Sequence, residues 1–309
     1  MIKIDVFSHY LTPKYIEKFM SLAPDITKTV EFRQPAMTDL TIREDFMRRH
    51  PGLLQIITMG NIPPERYVPV KDAIELCKIG NDEMAELVVK KPSLFYGAVG
   101  TIPIDDVDAS LDIIDYCVKD LGLFGIQLFA TMERESFAEP KYRPIFAKIA
   151  ELDRVIWVHP AGTLPKQGKG RFIFTWPYES SNFMLDIVDA GIMAGYPKLK
   201  IIIHHAGGMV PHYRERVRTA MPGHDEDYFK NFYTDTALYG NTSGLMSAFD
   251  YFGPDHIMFG TDAPFGGPLM GGNGCTNETI LAIENMDVTD KEKEKILYGN
   301  ARNLFNKPV

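Results

Sequence analysis

Eight short β-rich runs, separated by segments of helical length, constrain this chain more than any other feature. Such alternation is what a parallel sheet with helical crossovers requires. The runs are Ile2–Val6, Leu54–Met59, Phe95–Thr101, Gly125–Phe129, Val155–His159, Leu199–His204, Phe232–Asp235 and His256–Gly260. Most, such as KLKIII and RVIWV, are apolar without alternation, as expected of strands covered on both faces. Helices are expected over Pro69–Lys91, Asp105–Leu121, Tyr142–Asp153, Ser180–Gly195, Pro211–Ala220 and Asn241–Phe252. Val288–Asn303 supplies a closing helix, with Thr289 as its N-cap ahead of Asp290, Glu292 and Glu294.

Eight parallel runs favour an α/β fold closed as a (β/α)8 TIM barrel over a doubly wound open sheet. Barrels of about 250 residues routinely form one domain, so residues 1–309 are expected to be a single barrel domain. The stretch Leu11–Leu53 is too long for an ordinary βα loop and reads as an extended insertion after the first strand. Gly162–Pro177 is a second long excursion, and connections of this length are usually either lids or disordered segments.

A net charge of −8 gives no basic face for nucleic acid or an anionic membrane, and favours a small-molecule partner. Cys77, Cys117 and Cys275 are far apart, odd in number and lack CxxC spacing, so neither a disulfide framework nor a thiolate metal site is expected. No run reaches signal-peptide or membrane-span length, and the expected compartment is the cytoplasm.

In a barrel the C-terminal strand ends converge on one mouth, so polar residues placed there by different strands build one site. His9 follows the first strand in IDVFSH, His159 ends the fifth in VIWVHP, His204 and His205 end the sixth in KIIIHHAGG, and Asp262 follows the eighth in IMFGTDAPF. One histidine at a strand end is more often a hydrogen-bonded rim residue than a ligand. Imidazole and carboxylate groups at four strand ends suit a divalent ion with an open coordination position. His50, His212, His224 and His256 fall in helix or loop contexts and read as surface or structural. If the sixth strand continues through both neighbours, only one of His204 and His205 faces the mouth.

In this order these residues resemble the amidohydrolase superfamily. Within it they are most similar to the branch of aminocarboxymuconate semialdehyde and gamma-resorcylate decarboxylases. The segments that carry the resemblance are IDVFSHYLTPKY, VIWVHP, YPKLKIIIHHAGGMVPHYRERV, FGTDAPFG and YGNARNLF, spread over nearly the whole chain. The resemblance implies one divalent metal ion, zinc ahead of manganese, with His9, His159 and Asp262 as ligands. It implies His205 as the sixth-strand residue that handles protons or water, with His204 against the barrel wall, and a homodimer or higher homo-oligomer. One departure is clear: Phe7-Ser8-His9 stands where the branch has His-x-His or a first-position Glu. Phenylalanine cannot ligate, so water would fill the remaining positions. Binuclear relatives carry a bridging lysine on the fourth strand, whereas GIQLFA offers Gln127, which implies a mononuclear centre.

The function this implies is nonoxidative decarboxylation of a small aromatic or unsaturated carboxylic acid, with Asp262 or His205 as the acid that protonates carbon. Metal-assisted hydrolysis of a lactone, ester or amide, or a hydration, would use the same residues, and Phe7 also admits a ligand-binding barrel with weakened catalysis. A cation for the anionic substrate would come from Arg43, Arg48, Arg49 or Arg214, and Trp176, Tyr178 and Phe265 would wall a flat ring or pack in the core. The run Gly266–Gly274 lacks the spacing and following lysine of a phosphate-binding loop and reads as a flexible loop at the mouth.

Overall fold

The computed structural model describes residues 1–29, 31–60, 62–130, 135–161, 172–221, 225–266 and 275–308. The β-rich runs appear as parallel strands: β1 (Lys3–His9), β2 (Leu53–Thr58), β3 (Phe95–Ala98), β4 (Gly100–Thr101), β5 (Gly125–Phe129), β6 (Val155–His159), β7 (Lys200–Ile203), β8 (Tyr233–Asp235) and β9 (Ile257–Met258). Strands β3 and β4 are the third run, interrupted at Val99.

Neighbours pair in the order β1-β2-β3 and β4-β5-β6-β7-β8-β9. Backbone bonds join these two sheets at both seams. Val99 N donates to Ile57 O at 3.0 Å and Phe124 N to Ala98 O at 3.0 Å. At the other seam Val6 N donates to Phe259 O at 2.9 Å, His9 N to Ala263 O at 2.7 Å and Asp262 N to Phe7 O at 3.1 Å. The first and last strands are thereby neighbours, as a TIM barrel requires.

Adjacent residues of a strand enter opposite apolar layers, which explains the absence of polar alternation. Ile56 and Ile202 join Ile4, Val6, Tyr96, Met258 and Trp157 in one buried cluster, while Ile57 and Ile201 pack with helix residues such as Leu76, Ile113 and Ile145. The Trp157 indole donates to Val6 O at 2.9 Å, which satisfies its one polar atom across the interior. Gly125 is required where β5 meets β6, since a Cβ there would fall 1.8 Å from the Val155 carbonyl oxygen.

The helices fall close to their expected places, and local chemistry sets their ends. Asp106 caps Val107–Asp115 through Ala109 N, and Asn241 caps Thr242–Phe252 through Gly244 N. Thr289 and Glu292 form a reciprocal capping box ahead of Asp290–Glu294. Each such cap stabilises by about 1 kcal/mol. The helix expected from Ser180 begins earlier, at Phe172, and runs to Asp189 with Pro177 inside it. Residues 162–171 of that excursion, His224, and residues 267–274 of the glycine-rich run lie outside the described residues. The insertion after β1 is structured: it contains Pro13–Leu22, Pro35–Thr38 and Leu40–Arg48, the last capped by Asp39. Its Phe19, Met37, Phe46 and Met47 are buried in the main core.

Candidate metal centre

The strand exits bring four ligand-type side chains together. His9 ends β1, His159 ends β6, His204 follows β7 and Asp262 lies beyond β9. One ligand atom from each lies within 4.8 Å of the others, and all four residues are buried.

Each imidazole is oriented through its Nδ1. His9 Nδ1–H donates to Thr58 Oγ1 at 2.7 Å, and His159 Nδ1–H donates to the Pro160 carbonyl at 2.7 Å. His204 Nδ1–H donates to Asp235 Oδ2. With the proton held at Nδ1, the Nε2 lone pair is left for the centre. His9 Nε2 stands 3.1 Å and His204 Nε2 3.2 Å from the same oxygen, Asp262 Oδ1, while His159 Nε2 has no hydrogen-bond partner. With no ion bound, the His204 nitrogen meets this oxygen through a proton; a divalent ion takes that proton's place, and three imidazoles beside one carboxylate are a donor set that fits it.

The charges follow the same geometry. Burial holds His159 well below the usual imidazole range, reinforced by His9 and His204. Burial also opposes charge on His204, but the carboxylates of Asp235 and Asp262 outweigh it and push this imidazole up to about 9. An ion that binds at Nε2 competes with that proton, so ion affinity rises with pH up to that region. Burial works against the Asp262 carboxylate too, yet His204 and His9 hold it well below the usual carboxyl range.

The placement of His204 corrects the expectation that it faces the barrel wall. Alternation applies only while the strand lasts, and β7 ends at Ile203. The chain then turns into the left-handed region at His205 (φ 59°) and Ala206 (φ 54°), which brings both rings to the same side, 3.9 Å apart. Asp235 holds this uncommon turn. Its Oδ1 accepts from the backbone N–H groups of His205 (3.1 Å), Ala206 (3.4 Å) and Ala237 (2.9 Å).

Phe7 occupies the ground of the missing first-strand ligand. Its ring stacks on His204 at 3.8 Å and meets His9 at 5.6 Å and His159 at 5.8 Å. An apolar ring thus stands on the first strand, and His204, stacked against it, presents a nitrogen to the centre.

His205 is a separate case. Its Nδ1–H donates to the Ala237 carbonyl at 3.0 Å, and its buried Nε2 has no partner. Burial, followed by the charge of His204, lowers it to about 4, so it rests neutral with an open Nε2. Trp176 stacks on it at 5.8 Å and 12°, and meets His159 edge-on at 5.6 Å. Phe265 lies 5.9 Å from His9, whereas Tyr178 is 46% exposed. Two of the three aromatic residues expected at the mouth are therefore placed against site rings.

Sequence reasoning passed over Asp235 and Tyr239. The Tyr239 phenol donates to Asp262 Oδ2 at 2.6 Å, so both oxygens of that carboxylate are engaged. Asp235 ends an apolar run, the same position that singled out the histidines, and that signal was available. The arginines expected near the mouth are placed elsewhere. Arg43 is fully buried and donates from Nη2 to the His9 carbonyl, which braces a ligand from behind. Arg48 pairs with Asp45, and Arg49 and Arg214 are exposed. Gln127 donates to the Gly60 carbonyl at 2.9 Å. His50 bonds Phe46 O and Asn277, His256 stacks on Tyr233, and His212 is exposed, so these three remain outside the centre.

Known proteins resemble this chain along nearly its whole length. The family described as Amidohydrolase matches residues 31–307. The 6-methylsalicylic acid decarboxylase of Penicillium expansum is 26% identical over 326 residues, which span 99% of this chain and 96% of that protein. The gamma-resorcylate decarboxylase of Rhizobium radiobacter is 27% identical over 335 residues, 98% of each chain. Among solved structures, the dihydroxybenzoic acid decarboxylase of Polaromonas sp. JS666, with bound manganese and 2-nitroresorcinol, superposes with a TM-score of 0.82. The two are 24% identical, and the match covers 99% of this chain and 98% of that one.

Proposed function

The chain belongs to the amidohydrolase family, and from that membership we propose that it is a nonoxidative decarboxylase of a small aromatic or unsaturated carboxylic acid. It uses one divalent ion, zinc ahead of manganese, held by His9, His159, His204 and Asp262. The observation that carries this reading is the turning of the His9 and His204 Nε2 atoms onto Asp262 Oδ1, with the His159 Nε2 left open beside them. When bound, such an ion supplies a fixed positive charge that orients the acid and draws electron density from it.

The remaining chemistry falls to side chains. As the carbon–carbon bond breaks, the carboxylate leaves as CO₂ and its bonding pair stays on the substrate carbon, which takes a proton. Both Asp262 oxygens are engaged, so we assign the proton transfer to His205: its Nε2, open at rest, takes a proton from solvent as the anionic acid binds and hands it to the carbon, while its ring is fixed by the Ala237 carbonyl and by Trp176. Asp262 then serves as a ligand and as the negative charge of the centre. Trp176 covers His205 and His159 and limits the access of water to that proton.

The test is to load the protein with zinc or manganese, measure the ion content, and assay 2-hydroxybenzoic acids for CO₂ release. About one ion per chain and release of CO₂ are expected. Two ions at full occupancy overturn the mononuclear reading. Hydrolysis of lactones, esters or amides without CO₂ release favours the hydrolase reading, and loading without any turnover favours a binding barrel.

We further propose a homodimer or larger homo-oligomer in the cytoplasm. Cys77, Cys117 and Cys275 are all buried, in keeping with a reducing compartment. Among the described residues no helix is long and apolar enough to cross a membrane. Light scattering at micromolar concentration is expected to give at least twice the chain mass, and a single monomer peak overturns the assembly.

A further inference from the structure

The centre described above has residues that would hold an ion and a residue that would carry a proton, yet none of its side chains answers the negative charge of an acid substrate. Arg66 does. It ends the short turn Pro64–Arg66 that follows β2, and its Nη1 donates to the Ala161 carbonyl at 2.7 Å. Ala161 lies two residues beyond His159, at the exit of β6. The side chain therefore reaches from the exit of β2, past those of β4 and β5, to the strand that carries a ligand. The loop that bears it is tied down by Gln127, which bonds the Gly60 carbonyl from β5.

The guanidinium is half-buried, and its Nη2 is shut off from solvent without a hydrogen-bond partner. Arg66 makes no ion pair among the described residues. A guanidinium arm that gives up water without gaining a hydrogen-bond acceptor is costly, and an incoming carboxylate would supply one. Guanidinium and carboxylate match in planarity and hydrogen-bond direction. Of the other arginines, Arg48 pairs with Asp45, and Arg43 gives Nη2 to the His9 carbonyl and keeps Nε and Nη1 unpartnered behind that ligand.

We propose that Arg66 Nη2 anchors the substrate's carboxylate, so that the ligand class is a carboxylate-bearing ring. The assignment rests on the aromatic-acid reading above. The Ala161 carbonyl holds one arm of the fork and leaves the other for the ligand. The contact is made to the substrate's charge and not to the bond that breaks, so it is held to a similar degree in the bound acid and in the transition state. Arg66 is accordingly a binding residue: its loss raises KM and leaves kcat within about threefold.

Wild type, Arg66→Met and Arg66→Lys, loaded with the same ion, are titrated calorimetrically with 2,6-dihydroxybenzoate and with resorcinol, the same ring without the carboxylate. Arg66→Met is expected to bind the acid at least about tenfold more weakly, with resorcinol affinity and ion content unchanged. Arg66→Lys, which keeps the charge but loses the fork, is expected to fall between the two. Should the methionine variant fail to fold, the lysine variant decides, by weakening the acid and not resorcinol. Undiminished binding of the acid overturns the anchor alone, as does an equal loss of resorcinol, which marks Arg66 as a brace for Ala161. Failure of the wild type to bind the acid at all overturns the aromatic-acid reading and the anchor with it.

Discussion

Asp262→Asn is expected to lower kcat/KM at least about 100-fold, while His212→Ala changes it less than about tenfold, or ~1.4 kcal/mol. Asparagine keeps the shape and one carbonyl oxygen of Asp262 but removes the negative charge that His9 and His204 face. It also replaces one acceptor with an NH₂ group, so either the Tyr239 phenol or the histidine pair loses its partner. Lost electrostatic stabilisation in a buried centre adds to the cost. His212 is exposed and reports on general damage to the fold. Equal losses in the two variants, with both folded by circular dichroism, would place the reacting centre elsewhere.

The neighbouring histidines are expected to fail in different ways. Partners behind a ligand are alone worth ~10–100-fold in ion affinity, so His204→Ala is expected to weaken ion binding by at least about 100-fold. His205→Asn removes the open Nε2 without touching the four ligand-type residues. It is expected to retain the ion while its rate falls by ~10²–10⁴. Ion titration followed by turnover at saturating ion separates the two. The opposite pattern, with the ion lost from the His205 variant and kept by the His204 variant, reverses the roles assigned here.

Much of this was legible in the chain. The strands could be read because their residues are apolar on both faces, and the caps at Asn241 and Thr289 because they depend on neighbours within three positions. His9, His159 and Asp262 could be singled out because they sit at the ends of such runs. His204 was misread because its direction depends on a left-handed turn at His205 and Ala206, two residues that rarely signal one. What holds that turn is Asp235, thirty-one positions from His204. Arg43 was read as a cation for the mouth, but folding of the insertion turns it onto backbone instead. Tyr239 and Arg66 lie outside any apolar run: pairing of β8 with β9 brings Tyr239 to Asp262, and folding of the sheet brings Arg66 to the exit of β6.

The stack of Phe7 on His204 makes these two positions a single coupled choice. Phe7 lies flat against the His204 ring, so the side chain at position 7 sets where the His204 nitrogen stands. A histidine at position 7 beside an unchanged His204 crowds one ion with donors, whereas loss of His204 beside an unchanged Phe7 leaves too few. Substitutions at the pair are therefore non-additive, and a chain that drifts at one position is driven to compensate at the other.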